Sequence, residues 1–409
     1  MDPIAQADPA APAHAPRGTL AAFRAMPLAP LLATLAVQTF ATMALFSVPT
    51  AAPAIARDLA VPGSLIGMFV SLVYGVGIVS ALLSPGFVHR YGAVRVTQIT
   101  LVAVLAMLAT GTADGVAGLA MGAVVLGLAY GAIAPASTHL LVPQTPRAVF
   151  NLVMSLRQIG VPLGGVLGAL FIPPLVLHFG WRGALRWEAL PVALLLVALQ
   201  PARRAWDTDR DPGWKLGGAA LMQPLRLIRE DSALRRLSVA SFVYSGVQLC
   251  FIAFMTVQLT SEVRVGLVQA GLALALYQVA GSASRPVWGW VADRFMAPGR
   301  LLAWLGIAMA GAALATGRFG PGWPWGGVLA VAVFAGATAS GFTGVAYAEY
   351  ARLGGARRTE ATGLGTAAMF AGVMLMPSAF GAAVTALGGW FVPYAGLAAV
   401  SVLAAWAVW

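Results

Sequence analysis

A chain of 409 residues that is 59% hydrophobic and 10% charged, with a mean hydropathy of +0.83, is not an ordinary soluble protein, in which roughly 25% of residues are charged. Nor is it a disordered chain, which lacks apolar residues. The net charge of +11 would suggest nucleic acid in a soluble protein, but in a membrane protein it first asks on which side the cations lie.

Residues 1–27 read as a disordered Pro/Ala-rich tail, without the ordered cationic, apolar and cleavage segments of a signal peptide. A bilayer core takes about 20 apolar residues per helix, and runs of that kind fall at 28–49, 64–88, 93–112, 116–141, 148–177 and 183–200. The fifth carries Pro162 and the Pro173-Pro174 pair, which predict a kink. The sixth has Arg182, Arg186 and Glu188 in its first turns. A hydrophilic break at 201–233 follows, in which Gly213 to Ile228 has the pattern of either a surface amphipathic helix or a solvated loop. Six further runs lie at 234–260, 265–291, 299–317, 325–350, 359–387 and 390–408. The expected fold is an all-α polytopic membrane protein of twelve transmembrane helices. It divides into an N-terminal six-helix bundle at 28–200, an inter-bundle loop at 201–233 and a C-terminal six-helix bundle at 234–409.

Lys and Arg orient the chain. Of the 25, Arg57, Arg182, Arg186, Arg264 and Arg318 fall on one side and Arg157 and Arg285 inside spans; the other eighteen share the side of both termini. The expectation is a bacterial inner membrane protein with both termini and the 201–233 loop in the cytoplasm, surrounded by lipid and with no nucleic-acid partner. The single Cys250 excludes a disulfide framework, and no metal-ligand spacing, P-loop, HExxH or strand-borne GxSxG occurs. No cofactor and no enzymatic activity are therefore expected.

A shift of 204 residues places His89-Arg90 on Asp293-Arg294, Gly77 on Gly281 and Ser80 on Ser284, the mark of a parallel 6+6 repeat. Gly289-Trp290-Val291-Ala292-Asp293-Arg294 resembles the loop motif of the major facilitator superfamily. Pro85-Gly86-Phe87-Val88-His89-Arg90-Tyr91-Gly92 is its first-half counterpart, with His89 in place of the usual Asp, and Gly160-Val161-Pro162-Leu163-Gly164-Gly165 resembles the fifth-span Gly-x-Pro motif. The resemblance runs from residue 28 to the end of the chain and implies two pseudo-symmetric bundles, a monomer, and gating contacts between loop charges and helix ends. Asp293, Arg294 and Glu349 are the gating candidates of the second half, with Arg90, His89, Gly160 and Pro162 in the first. The missing first-half acids, replaced by His89 and His139, argue against a symmetric latch.

Arg157 and Arg285 lie at membrane depth, where a charge is expensive and marks function. Arg157, Gly160, Gly164 and Gly168 share one helix face, as do Gly281, Arg285 and Gly289. The resemblance makes spans five and eight neighbours across the bundle interface, so both guanidiniums are expected to face one electropositive cavity with an anion between them. Gln38, Tyr74, Tyr130, Gln158, Tyr244, Gln248, Tyr277, Gln278 and Tyr347 are the polar candidates to complete that site. Binding of Arg157 or Arg285 to backbone carbonyls is the structural alternative for each.

The pattern is closest to the anion-transporting branches of the superfamily (oxalate/formate, monocarboxylate, cyanate-type), several of which place an Arg in the eighth or second span. The expected function is a secondary transporter of a small anion, most simply a carboxylate, as exchanger or proton symporter. A proton-driven drug or metabolite antiporter is the alternative. The fifth-span motif favours it, and the lack of a cavity carboxylate on spans one and four opposes it.

Overall fold

The computed structural model describes residues 23–113, 115–216 and 218–409. Of the expected N-terminal tail, residues 1–22 lie outside the described residues. All regular structure among the described residues is helical, as an apolar solvent demands when every backbone donor must be satisfied within its own segment.

The first bundle comprises α1 (Leu28–Thr50), the short α2 (Ala52–Asp58), α3 (Gly63–Tyr91), α4 (Ala93–Thr110), α5 (Val116–Tyr130), α6 (Ile133–Leu141), α7 (Phe150–Gln158) and α8 (Gly160–Ala198). Between the bundles run α9 (Ala202–Trp206) and α10 (Gly218–Glu230). The second contains α11 (Ser232–Ser261), α12 (Leu267–Arg294), α13 (Pro298–Gly317), α14 (Trp325–Ala335), α15 (Thr343–Gly354), α16 (Arg358–Leu387) and α17 (Phe391–Val408). Among the described residues ten stretches have the length and apolarity to cross a membrane. Two of these, of 52 and 63 residues, each exceed twice the roughly 20 residues that one crossing needs, which accommodates the twelve spans. Gly180, at φ 68°, divides the first of them, a conformation that glycine adopts without a Cβ penalty.

The breaks have physical causes. Gly92 (φ 92°) turns the chain between α3 and α4, and Asp207 from the inter-bundle segment accepts from the first amides of α4, Val94 at 2.7 Å and Arg95 at 3.0 Å. Asp231 caps α11 through the amides of Ala233 and Leu234, the usual role of an N-cap carboxylate. Span four is interrupted after Tyr130 and span ten by a π-helical turn at Gly336–Ser340. These interruptions sit within a residue or two of each other under the 204-residue shift. The Pro173-Pro174 pair lies inside continuous α8; the fifth span breaks instead at Ile159, between α7 and α8.

The inter-bundle segment is not a helix from Gly213 onward. α10 starts at Gly218 and packs on α3, α11 and α16, with Leu227 fully buried. Trp214 lies ahead of it, stacked on His89 at 4.6 Å. The apolar interior forms two clusters, one wholly from residues 37–199 and one built on the second half. The second also takes in Leu141, Val149, Val153 and Met154, so the start of span five packs with the opposite bundle.

Candidate functional site

Arg157 is completely buried near the end of α7. Its Nη2 donates to Gln38 Oε1 at 3.0 Å, and the guanidinium lies over the Tyr347 ring at 5.6 Å. Gln38 in turn donates to Thr42 at 3.1 Å and to the Tyr130 hydroxyl at 3.4 Å, and Thr42 and Tyr130 share a 3.0 Å bond. Tyr74 stands edge-on to Tyr130 and to Phe370, and Tyr130 and Phe370 are stacked at 5.7 Å. Tyr347 shares a 3.2 Å bond with Thr366. Spans one, two, four, five, ten and eleven thus converge on one guanidinium. Its Nε and Nη1 have no acceptor among the described residues, and buried polar groups are rarely left so.

Arg285 is as deeply buried, at 2% exposure, but its surroundings differ. Nε donates to the Ser340 carbonyl at 3.1 Å, Nη2 to Ser340 Oγ at 3.4 Å, and Nη1 to the Gln158 carbonyl. The last acceptor follows from sequence. In an α-helix the Gln158 carbonyl would bond the amide of residue 162, which is Pro162 and has no N–H. Ser340 lies in the π-helical turn and also accepts from Gln248 Nε2 at 3.2 Å. Arg285 therefore joins the two bundles through backbone carbonyls. The expectation of two guanidiniums aimed at one anion is corrected accordingly: Arg157 has unused donors, and every nitrogen of Arg285 is engaged.

The remaining candidates divide. Tyr244 donates to the Leu302 carbonyl at 3.1 Å and Tyr277 to the Gln248 carbonyl at 3.3 Å, so both tie helices within the second bundle. Gln158 contributes its carbonyl to Arg285, and Gln278 accepts on its carbonyl from Ser282 at 2.8 Å. Gly160 and Gly164 fit against Leu35, Gln38, Thr39 and Thr42 of α1, so the small-residue stripe is a helix contact.

At the end of the molecule that carries most cations, the bundles are latched twice. Asp293, near the end of α12, accepts from the Asn151 amide (2.9 Å), Asn151 Nδ2 (2.8 Å) and the Leu152 amide (2.9 Å) at the start of α7, where the helix dipole favours an anion. Glu349 does not take part as expected; it receives both Nε and Nη2 of Arg352 at 2.6 Å. Arg294 ends α12 with an exposed side chain. In the first half, His89 Nε2 meets Glu360 Oε1 at 3.0 Å. Glu360 lies in the first turn of α16, the counterpart of span five. The acid absent from span two is supplied by the helix it contacts, so a latch forms with its polarity reversed. His139 lies 5.4 Å from His89, ring to ring, and bonds Thr359 at 2.8 Å and Asp209 at 2.9 Å. Arg90 donates to the Trp214 carbonyl at 3.3 Å. Sequence reading missed Glu360, Thr359 and Asp209; the one available signal was an acid in the first turn of a span.

Gly289 packs where the latch closes. A Cβ there would meet the Asn151 carbonyl and Ser155 Oγ at 2.7 Å and Leu152 Cα at 2.8 Å. Gly289→Val should hold the bundles apart at this end, seen as faster thiol labelling of a cysteine placed at Asn151. Labelling unchanged from the unsubstituted glycine background would exclude that role.

Electrostatics in the inter-bundle segment follow the same contacts. Burial raises the Asp207 carboxyl above its ordinary value against the pull of the Val94 and Arg95 amides, and the hydrogen bond from His139 lowers that of Asp209. A carboxyl lowered on folding stabilises the fold above its unfolded value, about 4, and that contribution disappears as pH falls through the lowered value. Asp209 is half exposed, so the effect is below about 1 kcal/mol. Asp209→Asn should therefore lower the melting temperature slightly at pH 7, with the gap closing at acid pH; a gap widening towards acid would contradict this.

The sequence matches the family described as Major Facilitator Superfamily over residues 34–348 and 237–409. No curated protein matches it. Among solved structures, it is similar to the human organic anion transporter MFSD10 (TETRAN), at 17% identity and a TM-score of 0.71, covering 94% of this chain and 100% of that one. The E. coli fucose:proton symporter FucP aligns at 14% identity and TM-score 0.71, over 93% and 98% of the respective chains. The proton:xylose symporter XylE gives 16%, 0.70, 93% and 95%. Matching over most of its length and sharing the fold of these transporters, the chain is a multi-pass membrane protein that belongs to the major facilitator superfamily.

Proposed function

We propose that this protein is a secondary active transporter that moves a small anion, of the carboxylate class, by alternating access of its two bundles. The observation that carries this reading is Arg157: a guanidinium with no exposure and, among the described residues, two nitrogens without acceptors and no bonded acid. Nη2 carries a second N–H besides the one given to Gln38, and paired with Nε–H or Nη1–H it forms a planar edge that matches a carboxylate bidentately. Gln38, Thr42, Tyr130 and Tyr347 supply further hydroxyl and amide groups around it, while Tyr74 and Phe370 wall the site with rings. The similar structures include an organic anion transporter and two sugar symporters, so the fold leaves the substrate open and the arginine favours the anion.

The chain's basic end is the cytoplasmic one in this reading, and the protein works as a monomer in a bacterial inner membrane, by exchange or with protons. The paired latches and the buried arginines correspond to a state closed to the cytoplasm. The direct test is a thermal-shift screen of purified protein against mono- and dicarboxylates, inorganic anions, sugars and lipophilic cations. A bound ligand at a hundred times its Kd adds about 2.7 kcal/mol of stability. Stabilisation by a carboxylate supports the reading, and stabilisation confined to sugars or to cationic drugs overturns it.

A further inference from the structure

Glu188 has no part in the anion site, yet its carboxyl is 2% exposed in the first bundle, facing α1. Its Oε2 lies 2.6 Å from Ser47 Oγ, and its Oε1 has no partner among the described residues. Ser47 Oγ is also 2.8 Å from the Met43 carbonyl. A serine hydroxyl has one proton to donate. If Ser47 gives it to Met43, the short contact to Glu188 needs a second proton, and only the carboxyl can supply it. The geometry closes when Glu188 is a neutral acid whose O–H donates to Ser47, which donates to Met43.

The charges on the packed helices agree. α1 has none. α2 has Arg57, bonded to the Pro53 carbonyl, and Asp58, paired with Arg182 at 2.6 Å. α4 has Arg95 at its opposite, basic end, α7 has Arg157 on Gln38, and α8 itself adds the exposed His178 and Arg186. None of these is seen bonded to Glu188. Among the described residues a carboxylate here would be a buried charge without a bonded counterion, which proteins avoid by taking up a proton.

We infer that the Glu188–Ser47 pair is a proton-binding site, separate from the anion site, and that its proton travels with the anion. The second clause rests on the anion-transport reading above. Release converts the acid to a carboxylate and a free proton and obliges Ser47 to turn from Met43 to Glu188. Ser47 and Gln38, the partner of Arg157, lie on the same helix nine residues apart, about 13 Å at 1.5 Å per residue, so proton release and the anion site act on one rigid element.

Glu188→Gln is the probe, because the amide N–H can donate to Ser47 as the acid does, leaving the melting temperature unchanged. Infrared titration of the purified protein without anion should show a protonated-carboxyl band at neutral pH that is lost in the variant. In proteoliposomes, one unit of imposed pH gradient should drive about tenfold accumulation of the anion by wild type, and no accumulation by the variant, which still exchanges anion for anion. A band unchanged by the substitution overturns the proton site. Gradient-driven accumulation by Glu188→Gln equal to wild type overturns its coupling. If wild type moves no anion under any condition, the transport reading fails with the coupling clause, while the infrared band still decides the site.

Discussion

Arg157→Ala should abolish anion uptake while leaving the protein folded. Removing one partner of a buried, hydrogen-bonded charge pair costs about 2–5 kcal/mol, a loss of affinity of about 30-fold or more at 1.4 kcal/mol per tenfold. Arg157→Lys should also impair uptake, since an ammonium cannot reproduce the planar two-pronged edge of a guanidinium. Stability should not suffer to the same degree: Nε and Nη1 have no acceptor among the described residues, so truncation strands only the side-chain Oε1 of Gln38, which an amide flip would turn towards the Thr42 and Tyr130 hydroxyls that Nε2 now meets. Uptake measured in proteoliposomes beside a melting curve separates the two effects. Normal uptake by Arg157→Ala would remove the arginine from the transport site.

Arg285→Ala should act differently. Its three donors end on Gln158 and Ser340, so the side chain joins the bundles and does not face the anion in this state. Hydrogen bonds from charged groups contribute about 1.5–3 kcal/mol each. Losing the single bond that crosses to Gln158 should therefore shift the balance between outward- and inward-facing states by about 10- to 100-fold. Pro162→Ala supplies the missing amide to Gln158 and competes for the same carbonyl, so it should shift the balance in the same direction by a smaller factor. Thiol accessibility from each face of the membrane reads the shift; Cys250 is buried and gives little background. If both substitutions leave accessibility unchanged and Arg285→Ala weakens anion binding as much as Arg157→Ala, Arg285 is a ligand and the bridging role is wrong.

The spans were legible because the bilayer imposes a length and an apolarity that composition alone reveals, and the breaks at Gly92, Gly180 and Ile159 lie close to the glycine and proline punctuation. Arg157 and Arg285 stood out for the same reason, as charges in apolar runs. Their different duties were not legible. The absence of an N–H at Pro162 implies a spare carbonyl at Gln158, but only tertiary structure shows that the donor comes from Arg285, 127 positions away. The reversed latch was hidden similarly. His89 in place of an acid read as a missing contact, because pairing a residue with Glu360, 271 positions on, requires the packing of α3 against α16. Glu349 read as a gate residue by its place at a helix end, and its Arg352 partner one turn further along is a local choice that spacing permits without requiring.

In the proposed reading Arg157, and not Arg285, supplies the charge that anchors a small anion. Isothermal titration of the best-stabilising carboxylate into wild type, Arg157→Ala and Arg285→Ala separates the two arginines. Wild type should bind, Arg157→Ala should show no measurable heat of binding, and Arg285→Ala should keep binding, with its affinity changed only through the population of the competent state. Binding by Arg157→Ala with wild-type affinity would show that the anion sits elsewhere.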